Sequence, residues 1–203
     1  MGTKGEQTRD AILEAALKLA SRVGLSGLTI GTLAEELGLS KSGLFAHFGS
    51  KDELMIRTLE YAGARFSDVV VKPALAQPRG EARLRALFEG HRLWPVAVPQ
   101  PGGCIFIATS VEFDDRPGPV RDRLRQLWKE WLDFAADAVR QAIEVGDFRR
   151  DVDPEQFAFE LDAIRLSWHH AHRLLRDPKA EERAHVAFEA LVAAARAPGR
   201  RRG

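Results

Sequence analysis

Residues 29–51 read TIGTLAEELGLSKSGLFAHFGSK, and this stretch decides the fold. Behind Thr29, the apolar residues Ile30, Leu33, Ala34 and Leu37 recur at i, i+3, i+4 and i+7. That is the pattern of a short helix with one buried face and a threonine N-cap. Gly38 supplies the permissive backbone that stops this helix and turns the chain. Ser40 caps again, and Lys41 to Phe48 can form a second helix anchored inward by Leu44 and Phe48. Ser50 and Glu53 have the spacing of a capping box for a third helix opening at Lys51. The result is a helix-turn-helix. Its second helix turns Lys41, Ser42, Gly43 and His47 outward, small and polar side chains of the kind that enters a DNA major groove.

Working outward, a first helix is expected from about Thr8 to Val23, burying Ile12, Ala16, Leu19 and Val23, with Gly24 at its end. The helix opening at Lys51 continues through Leu54, Thr58, Leu59, Ala62 and Phe66 and should end before Pro73, because the residue preceding a proline avoids the helical region. Residues 73–80, PALAQPRG, read as a breaker-rich loop. Glu81 to about Trp94 is amphipathic, with Leu84, Leu87, Phe88 and His91 on one stripe. Residues 104–113 are a continuous apolar run that pattern alone leaves open between buried helix and buried strand; the helical neighbours favour helix. Val120 to Val145 is the clearest helix of the C-terminal half. Asp153-Pro154 and Asp177-Pro178 each place a capping carboxylate before a proline, marking two more helix starts. The fold class is all-α, with about nine helices.

Composition sets the frame for function. The chain has 203 residues, 45% hydrophobic and 29% charged, with formal net charge +1, so no global basic field announces nucleic-acid binding. Charge is local instead: residues 38–51 hold Lys41, His47 and Lys51 and no acid. The single cysteine, Cys104, excludes an intrachain disulfide and suits a reducing compartment. The opening MGTKGEQTRD is too polar for a signal peptide, and no apolar run approaches membrane-spanning length. A cytoplasmic protein with no membrane partner is expected.

The stretch from about Thr8 to about Ala62 resembles the N-terminal domain of the TetR family of transcriptional regulators. The resemblance is carried by Thr8-Arg9-Asp10-Ala11-Ile12-Leu13, Gly24, Thr29, Ala34, Gly38, Leu39-Ser40-Lys41, Leu44-Phe45, His47-Phe48-Gly49-Ser50-Lys51 and Leu54, in the family's order and spacing without gaps. It implies a DNA-binding domain at 6–66 (helix-turn-helix 29–48), a ligand-binding and dimerisation domain at 67–197, and a basic tail at 198–203. It also implies roles. Ser42 and Gly43 face base edges, Lys41 reaches a base or phosphate, and Thr29, Phe45, His47 and Lys51 lie along the phosphate backbone. The family commonly carries a long polar side chain where this chain has Gly31, and tyrosine where it has Phe45. The last two helices are then the dimer surface, with Phe157, Leu161, Ile164, Trp168, Phe188 and Leu191 as an apolar interface exposed on a monomer.

The four tryptophans and the histidines suggest an apolar pocket with a few polar groups. Its candidate lining is His91, Trp94, Cys104, Phe106, Trp128, Trp131, His169 and His170. His169 and His172 share a helix face, but no paired Cys/His spacing supports a metal site, and no nucleophile, paired-carboxylate or phosphate-loop signature points to catalysis or to a cofactor. The expected function is a homodimeric, ligand-responsive regulator, a repressor released from a near-palindromic double-stranded operator by a small, largely apolar effector. A helical small-molecule-binding or enzymatic protein that has lost DNA binding is the alternative, with Gly31 and Phe45 as its signs.

Overall fold

The computed structural model describes residues 4–198, with side-chain surroundings from Thr8 onward; the basic residues 199–203 lie outside the described residues. Ten α-helices occur among the described residues: α1 (Lys4–Val23), α2 (Ile30–Leu37), α3 (Lys41–Phe48), α4 (Lys51–Phe66), α5 (Lys72–Leu75), α6 (Glu81–Ala97), α7 (Ile105–Phe113), α8 (Pro119–Glu144), α9 (Pro154–Arg173) and α10 (Ala180–Ala195). A π-helical turn, Ser67–Val71, follows α4 and precedes α5 with no residue between them, so the described residues hold nine separate helical stretches. Pro73 therefore does not end the helix as expected. It is the second residue of α5, directly after the π-helical turn. The apolar run at 104–113 is helical, and the only β feature described is an isolated bridge between Phe148 and Arg196.

The chain groups into two compact units. The first takes the chain up to Ser67 together with Pro95–Leu127. Its core is formed by Ile12, Leu13, Ala16, Leu17 and Ala20 of α1 with Leu33, Leu44, Phe48, Leu54 and Leu59. Val23, expected inside, is 51% exposed, because the buried face of α1 has rotated past it by the last turn. The 100–103 loop lies directly on the end of α1. A Cβ on Gly102 would meet the Ser21 carbonyl oxygen at 1.3 Å, so only glycine permits this approach.

The second unit comprises Asp68–Trp94 and the chain from Trp128. Phe148, Phe157, Leu161, Phe188 and Val192 fill its centre together with Leu84, Leu87 and Val139. Phe88 stacks on Phe188 at 4.2 Å, and Phe148 packs against Phe157 at 5.4 Å. This corrects the expected interface patch: Phe157, Leu161 and Phe188 are 2%, 3% and 1% exposed within a single chain. Ile164, Trp168 and Leu191 are half-buried. The reason is that α9 and α10 pack on each other through this stripe. Asp153 caps α9 as expected, accepting from Glu155 N at 3.0 Å and Gln156 N at 3.1 Å. Asp177 does not cap α10 directly; it accepts from Lys179 N at 2.9 Å in a turn, and the helix begins at Ala180.

An ionic cluster ties the two ends of this unit together. The buried Glu81 accepts from Arg196 Nε and Nη2 at 2.8 Å each and from Arg85 Nε at 2.7 Å, and Arg85 also bonds Glu189. Hydrogen bonds from Arg196, reinforced by Arg85, hold the Glu81 carboxyl at about 2 against an ordinary 4.5. A carboxyl depressed in the folded state stabilises it above its unfolded value and loses that stabilisation as pH falls toward the folded one. The urea midpoint should therefore be flat above pH 5 and drop between about pH 4.5 and 2, with roughly 1–3 kcal/mol from this residue after allowance for solvent screening. Glu81→Gln should lower the plateau and flatten that limb; an unchanged acid limb in this variant would assign the loss to other carboxylates.

Candidate DNA-reading head and effector cleft

The caps of the helix-turn-helix form as local sequence dictates. Thr29 Oγ1 accepts from Thr32 N at 3.0 Å, and Thr32 Oγ1 accepts from Thr29 N at 3.0 Å, a reciprocal box made by two threonines. Gly38 ends α2 at φ 64°, in the left-handed region, and Leu39 N reaches back to Ala34 O at 2.9 Å. Ser40 Oγ accepts from Gly43 N at 3.1 Å to start α3. Ser50 Oγ accepts from Glu53 N at 3.1 Å, but the other half of the expected box is not made. The Glu53 carboxylate pairs with Arg57 Nε at 2.6 Å, while Ser50 N donates to Phe48 O at 2.8 Å.

Leu44 and Phe48 are buried, at 1% and 4% exposure, and fix which face of α3 looks outward. Lys41, Ser42, Gly43, Phe45 and His47 are all exposed, as is Lys51, and Thr29 is half-exposed. Phe45 stands 53% exposed, a large aromatic that the unit does not use for its own packing. Lys41 lies along Gly31, whose Cβ position would be 3.6 Å from Lys41 Cε. The Lys51 ammonium is turned onto the Ser26 carbonyl.

That carbonyl belongs to a turn that sequence reasoning passed over. Glu112, on α7, accepts from Leu25 N and Ser26 N at 2.8 Å each and also from the Ser26 hydroxyl. The turn between α1 and α2 is thus held on one side by a carboxylate 86 positions away in sequence and on the other by Lys51. The only sequence signal was an acid inside the apolar run IFIATSVEF.

In the second unit a cleft opens among α6, α8, α9 and α10. Phe88, His91 and Arg92 line it from α6, Trp131 from α8, Leu161, Arg165 and Trp168 from α9, and Glu181, Ala184 and His185 from α10. It is open to solvent, and the space closed off within it is only about 20 Å³, room for about one water molecule. Of the expected pocket residues, His91 and Trp131 line it, their rings edge-on at 4.4 Å. Trp94, Trp128, His169 and His170 belong to the same unit but do not line it, whereas Cys104 and Phe106 belong to the first unit. Leu161 and Trp168, expected at the dimer surface, line it instead. The missed residue is Arg165, and its signal was legible: an arginine at i+4 and i−3 between Leu161 and Trp168, on an otherwise apolar stripe.

His91 is buried, on the wall of the cleft. Its Nδ1 faces the Leu87 carbonyl at 2.9 Å and so donates to it, and burial, with the nearby Arg165 charge, pushes its pKa down to about 3. His169 is likewise pushed down to about 4, first by burial and then by Arg173 and Arg165. Trp168 stacks on His172 at 5.6 Å. Among the described residues no group of three or more His, Cys, Asp or Glu is placed to hold a metal ion, and no helix is long and apolar enough to cross a membrane.

The family model for the N-terminal domain of bacterial regulatory proteins of the tetR family matches residues 12–58. The tetracyclin repressor-like C-terminal domain model matches residues 80–188, more than half of the chain. The HTH-type transcriptional repressor AcnR of Corynebacterium glutamicum is 33% identical over 167 residues, covering 80% of each chain. A TetR-family regulator from Cytophaga hutchinsonii superposes with a TM-score of 0.83 at 20% identity, covering 97% of this chain and 98% of the other. The structure of AibR in complex with isovaleryl coenzyme A and operator DNA superposes at 0.68 and 24% identity, covering 91% and 96%. Two matched domain models and a relative one-third identical over four-fifths of both chains lead to one assignment: the chain belongs to the TetR family of DNA-binding transcriptional regulators.

Proposed function

We propose that this protein is a homodimeric repressor that reads a near-palindromic operator through two copies of α3 and is released by a small-molecule effector bound in the cleft of the second unit. The observation that carries the reading is the exposed, acid-free face of α3 and its flanks, set by the buried Leu44 and Phe48. A face of lysine, serine, glycine and histidine has no packing role and fits a groove lined by phosphates. In this reading 6–66 is the DNA-binding domain and 67–197 carries ligand binding and dimerisation, and the protein works in the cytoplasm beside its DNA.

One helix-turn-helix buries too little surface to select a site, so two copies are needed. The exposed faces of α9 and α10 suit the pairing. Phe159 is 66% exposed, Leu166 39% and Val186 65%. Phe159, Ala163, Leu166 and His170 recur at i, i+4, i+7 and i+11, and the small residues Ala190, Ala193 and Ala194 beside Val186 permit close helix approach. Effector release follows from differential affinity for two arrangements of the dimer, and coupling of this kind is reciprocal, typically 1–3 kcal/mol. AibR, which shares the fold, was crystallised with isovaleryl coenzyme A and operator DNA together.

The test is a gel shift against the DNA upstream of its own gene, repeated across a salt series. Lys41→Ala should weaken binding to operator and random DNA and flatten the plot of log K against log salt by about 0.9 for the lost phosphate contact. Ser42→Ala should instead change which sequences are preferred. A Lys41→Ala protein with altered base preference and an intact salt slope would show that the two roles are reversed, and absence of any salt-sensitive binding would favour a helical binding protein that no longer reads DNA.

A further inference from the structure

We propose that the cleft is built for a small carboxylate: an apolar body packed on Trp131, Leu161 and Phe88, with its anionic head on Arg165. This rests on the reading of the cleft as the effector site and names the class of ligand it takes.

Arg165 is the cation on the cleft wall that stands inside rather than at the rim. Its side chain is nine-tenths buried, 10% exposed, and its guanidinium lies over the Trp128 ring at 4.8 Å. Asp162 fixes it from one side: Oδ1 accepts from Arg165 Nε at 2.9 Å and from Trp131 Nε1 at 3.2 Å. Nη2 lies 2.9 Å from that same oxygen, yet it is buried and makes no hydrogen bond. A single carboxylate oxygen facing three donors cannot satisfy a guanidinium with five N–H groups. A buried donor left in this state is costly, and natural proteins rarely keep one without a purpose.

The other charges near the cleft do not compete for an anion. Arg92 is paired with Glu89 at 3.0 Å and with Glu181 at 3.1 Å, all of them more than a third exposed, where ion pairs discriminate weakly. His185 faces Glu89 at 3.7 Å. His91 is held neutral by burial and offers no charge. What remains is a mostly apolar, solvent-open cleft with one oriented, incompletely bonded guanidinium, the group that recognises a carboxylate through paired N–H···O bonds. A phosphate dianion fits less well, because Asp162 stands beside Arg165 and the second arginine of the lining, Arg92, is already paired with Glu89 and Glu181.

The experiment uses the full-length protein with 4-phenylbutyrate and its isosteric amide, 4-phenylbutyramide, as probes, followed by calorimetry and tryptophan fluorescence. The carboxylate should bind about tenfold tighter than the amide, the scale of one charge-assisted pair. Arg165→Met should erase that preference while leaving amide binding in place. Asp162→Asn should increase it, because the guanidinium loses its competing anion; a merely structural Asp162 would weaken both probes alike. Equal affinity for the two probes, binding of neither, or a preference that survives Arg165→Met overturns the assignment. If Arg165→Met does not fold, the wild-type pair and Asp162→Asn decide it. Operator binding measured alongside separates the two readings: a carboxylate that binds at Arg165 without changing operator affinity supports the ligand class and removes the cleft's effector role.

Discussion

Phe159→Asp combined with Val186→Asp will leave the protein monomeric and will lower its operator affinity by about 100-fold or more, while its helix content stays close to wild type. Both side chains are about two-thirds exposed in the single chain, so aspartate meets only water there and the protomer has no reason to unfold. In a dimer paired through α9 and α10 the same positions lose their water, and an unpaired carboxylate in an apolar interface is strongly unfavourable. DNA affinity falls with the dimer, because a monomer reads one half-site and forfeits the second set of phosphate and base contacts. Sedimentation, circular dichroism and a gel shift measure the three parts. Phe188→Asp is the contrasting control: Phe188 is 1% exposed and stacked on Phe88, so this variant should lose the fold itself, as truncating a buried phenylalanine alone costs about 3–5 kcal/mol. Dimers persisting in the Phe159/Val186 double variant would move the interface off these two helices.

The contrast between Phe159 and Phe188 shows where sequence reading stops. Caps and turns are local, so Thr29, Gly38, Ser40, Ser50 and Asp153 could be placed from neighbouring residues, and the structure makes those contacts. The outward face of α3 followed too, because Leu44 and Phe48 share one face at i and i+4, whereas Phe45 has no apolar partner at that spacing within the helix. Helix α9 is different. It carries two apolar stripes, Phe157–Leu161–Ile164–Trp168 and Phe159–Ala163–Leu166, and periodicity alone does not say which one the protomer buries. The larger volumes of the first stripe fill the centre of the second unit, and that depends on α6, α8 and α10 being present. The same limit applies to the cleft. Leu161, Arg165 and Trp168 are brought to His91 and Trp131 by packing between helices distant in sequence, whereas Cys104 and Phe106 were grouped with them only by chemical likeness. Asp177-Pro178 had the same spacing as Asp153-Pro154, yet Asp177 spends its carboxylate on a turn and on Arg183, and α10 starts later.

Glu112→Ala will destabilise the first unit by about 2–4 kcal/mol and weaken operator binding without touching any DNA-facing side chain. The carboxylate accepts from two backbone N–H groups, at Leu25 and Ser26, and from the Ser26 hydroxyl. Hydrogen bonds to a charged acceptor contribute about 1.5–3 kcal/mol each, and donors left without a partner in a part-buried turn add their own cost. Gly24 takes φ 81° to present these groups to the carboxylate, and Leu25 and Leu28 are 1% and 0% exposed beneath the turn. The consequence for DNA is positional. Ser26 O holds the Lys51 ammonium, and three residues on, Thr29 caps α2. Loosening this segment therefore blurs the placement of both helix starts that we propose face the phosphates, and errors well below the width of a groove are enough to lose oriented hydrogen bonds. Glu112→Gln keeps one acceptor oxygen without the charge and should cost about half as much. Amide exchange at Leu25 and Ser26, urea unfolding and the gel shift report the effect independently. If those two amides stay as protected in Glu112→Ala as in the wild type, the turn is held by its buried leucines, and the carboxylate is a bystander.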